Sequence, residues 1–104
     1  MTPELQQQIK PWRDKIDALD EQIVALLNER ASCTLQVGAM KREAGVSVYD
    51  PARESDILQR VAAQGNGPLT AAALRRLFER ILDESRSQER AGNERSDNIQ
   101  KRRQ

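Results

Sequence analysis

Residues 12–44 read WRDKIDALDEQIVALLNERASCTLQVGAMKREA. Taken at alternating steps of three and four, they give Trp12, Ile16, Leu19, Ile23, Leu26, Arg30, Cys33, Val37, Met40 and Ala44. That unbroken spacing predicts one face of a long helix, with Leu27, Thr34 and Lys41 flanking the same seam. Thirty-odd residues at ~1.5 Å each span about 50 Å, whereas a compact chain of this length has a radius of gyration of only ~13 Å. One protomer cannot wrap so long a helix. Because the stripe persists to both ends, a second copy is expected to cover part of it, giving an intertwined homodimeric helical bundle.

Two cations lie on or beside this stripe. The residues three and four away from Arg30 are Leu26, Leu27, Cys33 and Thr34, and those around Lys41 are Val37, Gly38, Ala44 and Gly45. None carries negative charge. A buried cation without a counter-charge costs about 3–5 kcal/mol, so an acid from another element or an anionic ligand must supply it.

On the N-terminal side, Thr2-Pro3-Glu4 has the order of an N-cap, a first-turn proline and a first-turn acid. Pro11 then predicts a short helical lead-in or a kink before the main helix. Asp14, Asp17, Asp20 and Glu21 fall in the first turns of that helix and Lys41 and Arg42 near its other end, as the macrodipole favours. On the C-terminal side, Gly45 is a helix stop and Gly45-Val46-Ser47-Val48-Tyr49 a connector. Asp50-Pro51 restarts a helix in which Glu54, Ile57, Leu58 and Val61 share a face, until Gly65-Asn66-Gly67-Pro68 ends it. Thr70 caps a third helix, with Leu69 and Leu74 placed as a hydrophobic staple. Its inner face is Leu74, Leu77, Phe78, Ile81, Leu82, Ser85 and Glu89, turning polar at the end. The expected architecture is all-α: a three-helix chain with a long first helix, one domain over residues 1–91, and a tail without periodicity, expected to be disordered, over 92–104.

Composition narrows the chemistry. With no histidine and one cysteine in 104 residues, a Cys/His metal cluster, a Ser-His-Asp triad and an internal disulfide are excluded. Catalysis must run on Arg, Lys, Asp, Glu, Ser and Gln. The formal charge of +1 gives no overall field toward nucleic acid or membrane. The N-terminus lacks the apolar stretch of a signal peptide and no run of eighteen apolar residues occurs, so a cytoplasmic protein is expected.

Arg30 and Lys41 are eleven residues apart, three turns, so their side chains point the same way and can bracket a small anion. Arg13, seventeen residues before Arg30, is turned roughly 100° from that face and lies ~25 Å along the axis. It cannot join the same site within its own helix, but in an antiparallel or crossed dimer it can reach the partner's, which predicts a shared pocket. Plainer readings stand beside these. Arg30 can serve a structural ion pair across the bundle, Arg13 can pair with Asp17, and Arg53 can brace the helix start through Asp50 and Asp56. Ser85 can bond its own backbone, Glu89 can pair with Arg86, and Cys33 fits a small buried hydrophobe. The convergence of several ions on the inward faces of three helices favours a polar, cation-rich pocket in the bundle.

The segments Trp12-Arg13-Asp14-Lys15-Ile16-Asp17-Ala18-Leu19-Asp20, Leu26-Leu27-Asn28-Glu29-Arg30, Val37-Gly38-Ala39-Met40-Lys41 and Asp50-Pro51-Ala52-Arg53-Glu54 resemble the all-helical chorismate mutases of the AroQ class, over about residues 12–90. The resemblance implies an intertwined homodimer with two equivalent sites that converts chorismate to prephenate, with no metal or cofactor. Nothing resembles the dehydratase or dehydrogenase domains fused to some relatives, which implies a free-standing mutase of the shikimate pathway.

Position by position, it implies that Arg30 and the other subunit's Arg13 hold the substrate carboxylates, supported by Arg53 and Ser85. Lys41 would contact the enolpyruvyl carboxylate and the ether oxygen. Glu54 would accept from the ring hydroxyl, with the Asp50 backbone contributing. The second donor to the ether oxygen, usually glutamine, is here Glu89, which can donate only when protonated. An isochorismate pyruvate-lyase has a similar fold and cationic pocket, but Asp50-Pro51-Ala52-Arg53-Glu54 fits a mutase better. A helical dimerisation or nucleic-acid-binding module using Lys101-Arg102-Arg103 is the alternative of another class, and the internal ions do not favour it.

Overall fold

A computed structural model describes the backbone of residues 1–103 and the side chains of residues 1–92. Thr2 Oγ1 accepts from the Leu5 N–H at 3.2 Å, and Pro3 opens α1 (Pro3–Glu43). The separate lead-in expected before Pro11 is absent, because Pro11 lies inside α1. Its missing N–H leaves the Gln7 carbonyl without a helical donor, and both residues are exposed, so water can serve that oxygen.

Helix α1 ends at Gly45, whose φ is +73°. The Val46 N–H donates to Lys41 O at 3.0 Å and the Gly45 N–H to Arg42 O at 3.1 Å, the pair of bonds that defines a Schellman stop. Gly45→Ala should therefore lower stability by about 1 kcal/mol through the left-handed backbone alone. Urea denaturation would read this as a lower midpoint with an unchanged slope.

Helix α2 (Pro51–Ala62) starts as its sequence predicts: Asp50 Oδ1 accepts from the Arg53 N–H at 3.0 Å, with Pro51 in the first turn. Helix α3 (Ala71–Arg103) is capped by Thr70, whose Oγ1 accepts from the Ala73 N–H at 3.0 Å. The loop between them passes close to the start of α3, since a Cβ on Gly65 would sit 2.8 Å from the Ala71 nitrogen. The backbone of α3 continues through 92–103, part of the stretch expected as a tail, and the side chains of 93–104 lie outside the described residues. The fold is all-α, with no strand among the described residues. Among these residues no helix is long and apolar enough to cross a membrane.

The chain divides into two units, residues 1–33 and 34–104. In the first, the apolar stripe is uncovered: Trp12 is 65% exposed and Leu26 62%, with Ile16, Leu19 and Ile23 exposed between them. Cys33 is exposed as well, so the small buried hydrophobe expected there is not found in the single chain, where the stripe residues Leu26 and Val37 on either side are also exposed. In the second unit α2 packs on α3. Ile57 and Leu82 are buried, and Leu58, Val61, Leu74, Phe78 and Ile81 are half-buried on the same faces. Leu77, assigned to the inner face by its sequence, is exposed, because it lies roughly 90° round α3 from the centre of that face.

Candidate active site

The second unit answers the question raised by Lys41. Its Nζ donates to Val48 O at 3.4 Å and pairs with Asp50 Oδ2 at 3.7 Å. The connector between α1 and α2 thus supplies the acid that no helical offset offers, and Asp50 serves twice: one oxygen starts α2 and the other faces the cation. Of the ammonium's three donor directions, the hydrogen bond to Val48 O uses one, and Asp50 faces the charge at ion-pair distance.

Glu54 on α2 likewise has no cation at three or four residues, and its partner comes from α3. Arg86 Nη1 binds Glu54 Oε1, while Arg86 Nη2 binds Asp83 Oδ1 one turn back on its own helix. The bond to Glu54 raises the Arg86 pKa above its ordinary value. Since Arg86 is engaged with Glu54 and Asp83, the surface pairing of Glu89 with Arg86 is not what forms.

Glu89 is half-buried against α1. Gly38 is buried there, and a Cβ on it would lie 3.6 Å from Glu89 Cγ and 3.4 Å from Arg42 Nη1, so a small residue on α1 makes room for both side chains. Burial pushes the Glu89 carboxyl above its ordinary 4.5; Lys41 opposes the rise, Glu54 adds to it, and Arg42 and Arg86 oppose it. Desolvation prevails over three cations because each cation is shared with an acid, a carbonyl or solvent, whereas the loss of water falls on Glu89 directly. Beside it opens a pocket of about 570 Å³ lined by Arg42, Val48, Tyr49, Arg86, Glu89 and Arg90.

The remaining candidates are placed as follows. Arg13 is exposed and Arg30 half-buried, both on the unit of residues 1–33. Arg53 is exposed and pairs with Asp56 at 3.1 Å, the bracing role open to it from sequence. Ser85 Oγ donates to Ile81 O at 3.0 Å, a turn back along α3. Lys41, Asp50, Glu54, Ser85 and Glu89 are thus all carried by the second unit, with Lys41 and Glu54 near enough to Glu89 to move its proton affinity. Arg42 and Arg86 were named in the sequence reading but not as site residues. The signal for Arg86 was present: it follows Leu82 by four residues and flanks the inner face of α3.

The sequence model of the chorismate mutase type II family matches residues 12–90. A bifunctional chorismate mutase/prephenate dehydratase of Neisseria gonorrhoeae is 34% identical over 90 residues, 86% of this chain and 24% of that protein. The protein of the same description from Escherichia coli K12 is 40% identical over 74 residues, 70% of this chain and 19% of its own length. The chain therefore spans about a quarter or less of these curated relatives. A solved chorismate mutase of Thermus thermophilus superposes with a TM-score of 0.77 at 31% identity, covering 80% of this chain and 94% of that one.

Proposed function

This chain is a member of the chorismate mutase type II family, and on that premise we propose that it rearranges chorismate to prephenate. The observation that carries the reading is Glu89, a half-buried carboxyl with a raised pKa, set near Lys41. Protonated, it makes with the Lys41 ammonium a pair of donors of the kind a breaking ether bond requires.

A Claisen rearrangement needs no nucleophile. The enzyme must fold a flexible dianion into its reactive conformer and stabilise the charge that grows on the ether oxygen as its bond to carbon stretches. In our reading Lys41 and protonated Glu89 donate to that oxygen. Arg30 and the partner subunit's Arg13 hold the two carboxylates, with Arg53 and Ser85 at the same end. Glu54 accepts from the ring hydroxyl, and the backbone at Asp50 contributes there. An enhancement of ~10⁶ requires about 8 kcal/mol, which restraint of the conformer plus two charge-assisted donors can supply. The reaction is that of aromatic amino-acid biosynthesis, and we place it in the cytoplasm.

The bare stripe from Trp12 to Leu27 supports a homodimer, because a second copy of the same helix supplies a matching apolar face. Incubating the purified protein with chorismate and identifying the product tests the function: prephenate supports it, while an unchanged substrate would refute it. Pyruvate released from isochorismate, with chorismate untouched, would favour a lyase instead. The sharing of sites is tested by mixing Arg13→Ala chains with Lys41→Met chains. Each should be nearly inactive alone, and subunit exchange should restore about a quarter of wild-type activity, since half the dimers are mixed and each mixed dimer regains one of its two sites. No recovery after exchange would mean that Arg13 does not serve the partner's site.

A further inference from the structure

We propose that Arg86 is a positioning residue for this reaction: its guanidinium spans Asp83 and Glu54 and fixes the Glu54 carboxylate in the orientation that receives the substrate's ring hydroxyl. The inference rests on the mutase reading and adds a residue to it. Its basis is the geometry of one planar group. The two terminal nitrogens of Arg86 are each committed to a different carboxylate, Nη1 to Glu54 Oε1 on α2 and Nη2 to Asp83 Oδ1 on α3. A guanidinium held at both ends cannot swing, so the carboxylate it binds is held in turn.

The bond to Arg86 uses Oε1 of Glu54 and leaves Oε2 for a ligand donor. Arg86 itself lines the 570 Å³ pocket beside Glu89, so the guanidinium that holds Glu54 is in the pocket wall. Glu54 is only 21% exposed, so little water is present to reorient it if the clamp is removed. The pairing also resolves a conflict in charge. An acid facing a dianionic substrate repels it, and a guanidinium bound to that acid offsets the repulsion while leaving one oxygen as an acceptor.

Arg86→Lys separates these roles, since lysine keeps the charge but is a single point that cannot hold two carboxylates in one plane. With chorismate, Arg86→Lys should lower kcat/KM about tenfold. Most of the change should appear in KM, because the hydroxyl contact is made in the ground state and the transition state alike. In a Glu54→Gln background the same substitution should change kcat/KM less than about twofold, because no carboxylate remains to be oriented. Equal losses in both backgrounds would show that Arg86 acts on the fold or on the substrate directly, and would overturn the inference, as would an Arg86→Lys enzyme indistinguishable from wild type. If the wild-type protein does not convert chorismate, the mutase reading falls and the inference with it; if it does, the four kinetic constants judge Arg86 alone.

Discussion

Lys41→Met should lower kcat/KM for chorismate by two to three powers of ten, the usual effect of removing one preorganised donor from a developing oxyanion, about 3–4 kcal/mol. The loss should fall on kcat, since the ether oxygen gains its charge only on the way to the transition state. The fold should survive. Lys41 is tied to the connector by a 3.4 Å bond to Val48 O and a 3.7 Å pair with an Asp50 that is itself 46% exposed, and partly exposed pairs contribute at most ~1 kcal/mol. The Schellman stop at Gly45 and the Asp50 cap of α2 use other atoms and remain. Circular dichroism with thermal melting, run beside steady-state kinetics, checks both halves. A variant that unfolds would assign Lys41 a structural part, and one that stays active would remove it from the chemistry.

Glu89 should give the enzyme an acid-shifted activity profile. Its carboxyl is raised by burial, and the groups that face it are Lys41 and Arg42 of α1, Glu54 of α2 and Arg86 of α3. A bound dianion adds negative charge beside it and raises the pKa further. The donor form is the protonated one, so kcat should be greatest under mildly acidic conditions and fall as pH rises through the pKa of Glu89 in the complex. Glu89→Gln keeps a donor at every pH and should retain activity while flattening the alkaline fall. Stability gives a second readout that runs in the same direction. A folded pKa above the unfolded value means that the native state holds the proton more tightly. Stability should therefore fall as pH rises from the ordinary 4.5 through the raised value and level off beyond it. The glutamine variant should lack that decline. A wild-type kcat that is flat with pH would show that Glu89 is not a donor.

The parts of this molecule that were legible in sequence are those set by near neighbours. Thr2, Asp50 and Thr70 accept from backbone donors three residues on, and Gly45 takes a positive φ, so each boundary is written within one turn of itself. The ladder from Trp12 to Ala44 declared the long helix for the same reason. What was hidden depends on separation. Glu54 and Arg86 are 32 residues apart, and no offset rule on either helix shows that one answers the other. Lys41 finds Asp50 only because the Gly45 stop turns the chain back toward it. The direction of the Glu89 shift was undecidable from a list of nearby signs, since three cations oppose it and burial, which a sequence does not state, prevails. Of the two outcomes expected at Pro11, the separate lead-in does not occur, because a missing donor matters little where water can replace it.

The packing of α2 on α3 through the short loop of residues 63–70 also has a kinetic side. Neighbours in space here are neighbours in sequence, so little loop entropy is lost before contacts form, and helical hairpins of such low contact order close in microseconds to milliseconds. Refolding from urea should then show a fast phase that does not depend on protein concentration, from Ile57 and Leu82 becoming buried. In the proposed homodimer the face of α1 carrying Trp12 should follow in a slower phase, second order in chain, because a second copy would cover it. The single tryptophan sits on that face, so its fluorescence would report the bimolecular step separately from the helical signal.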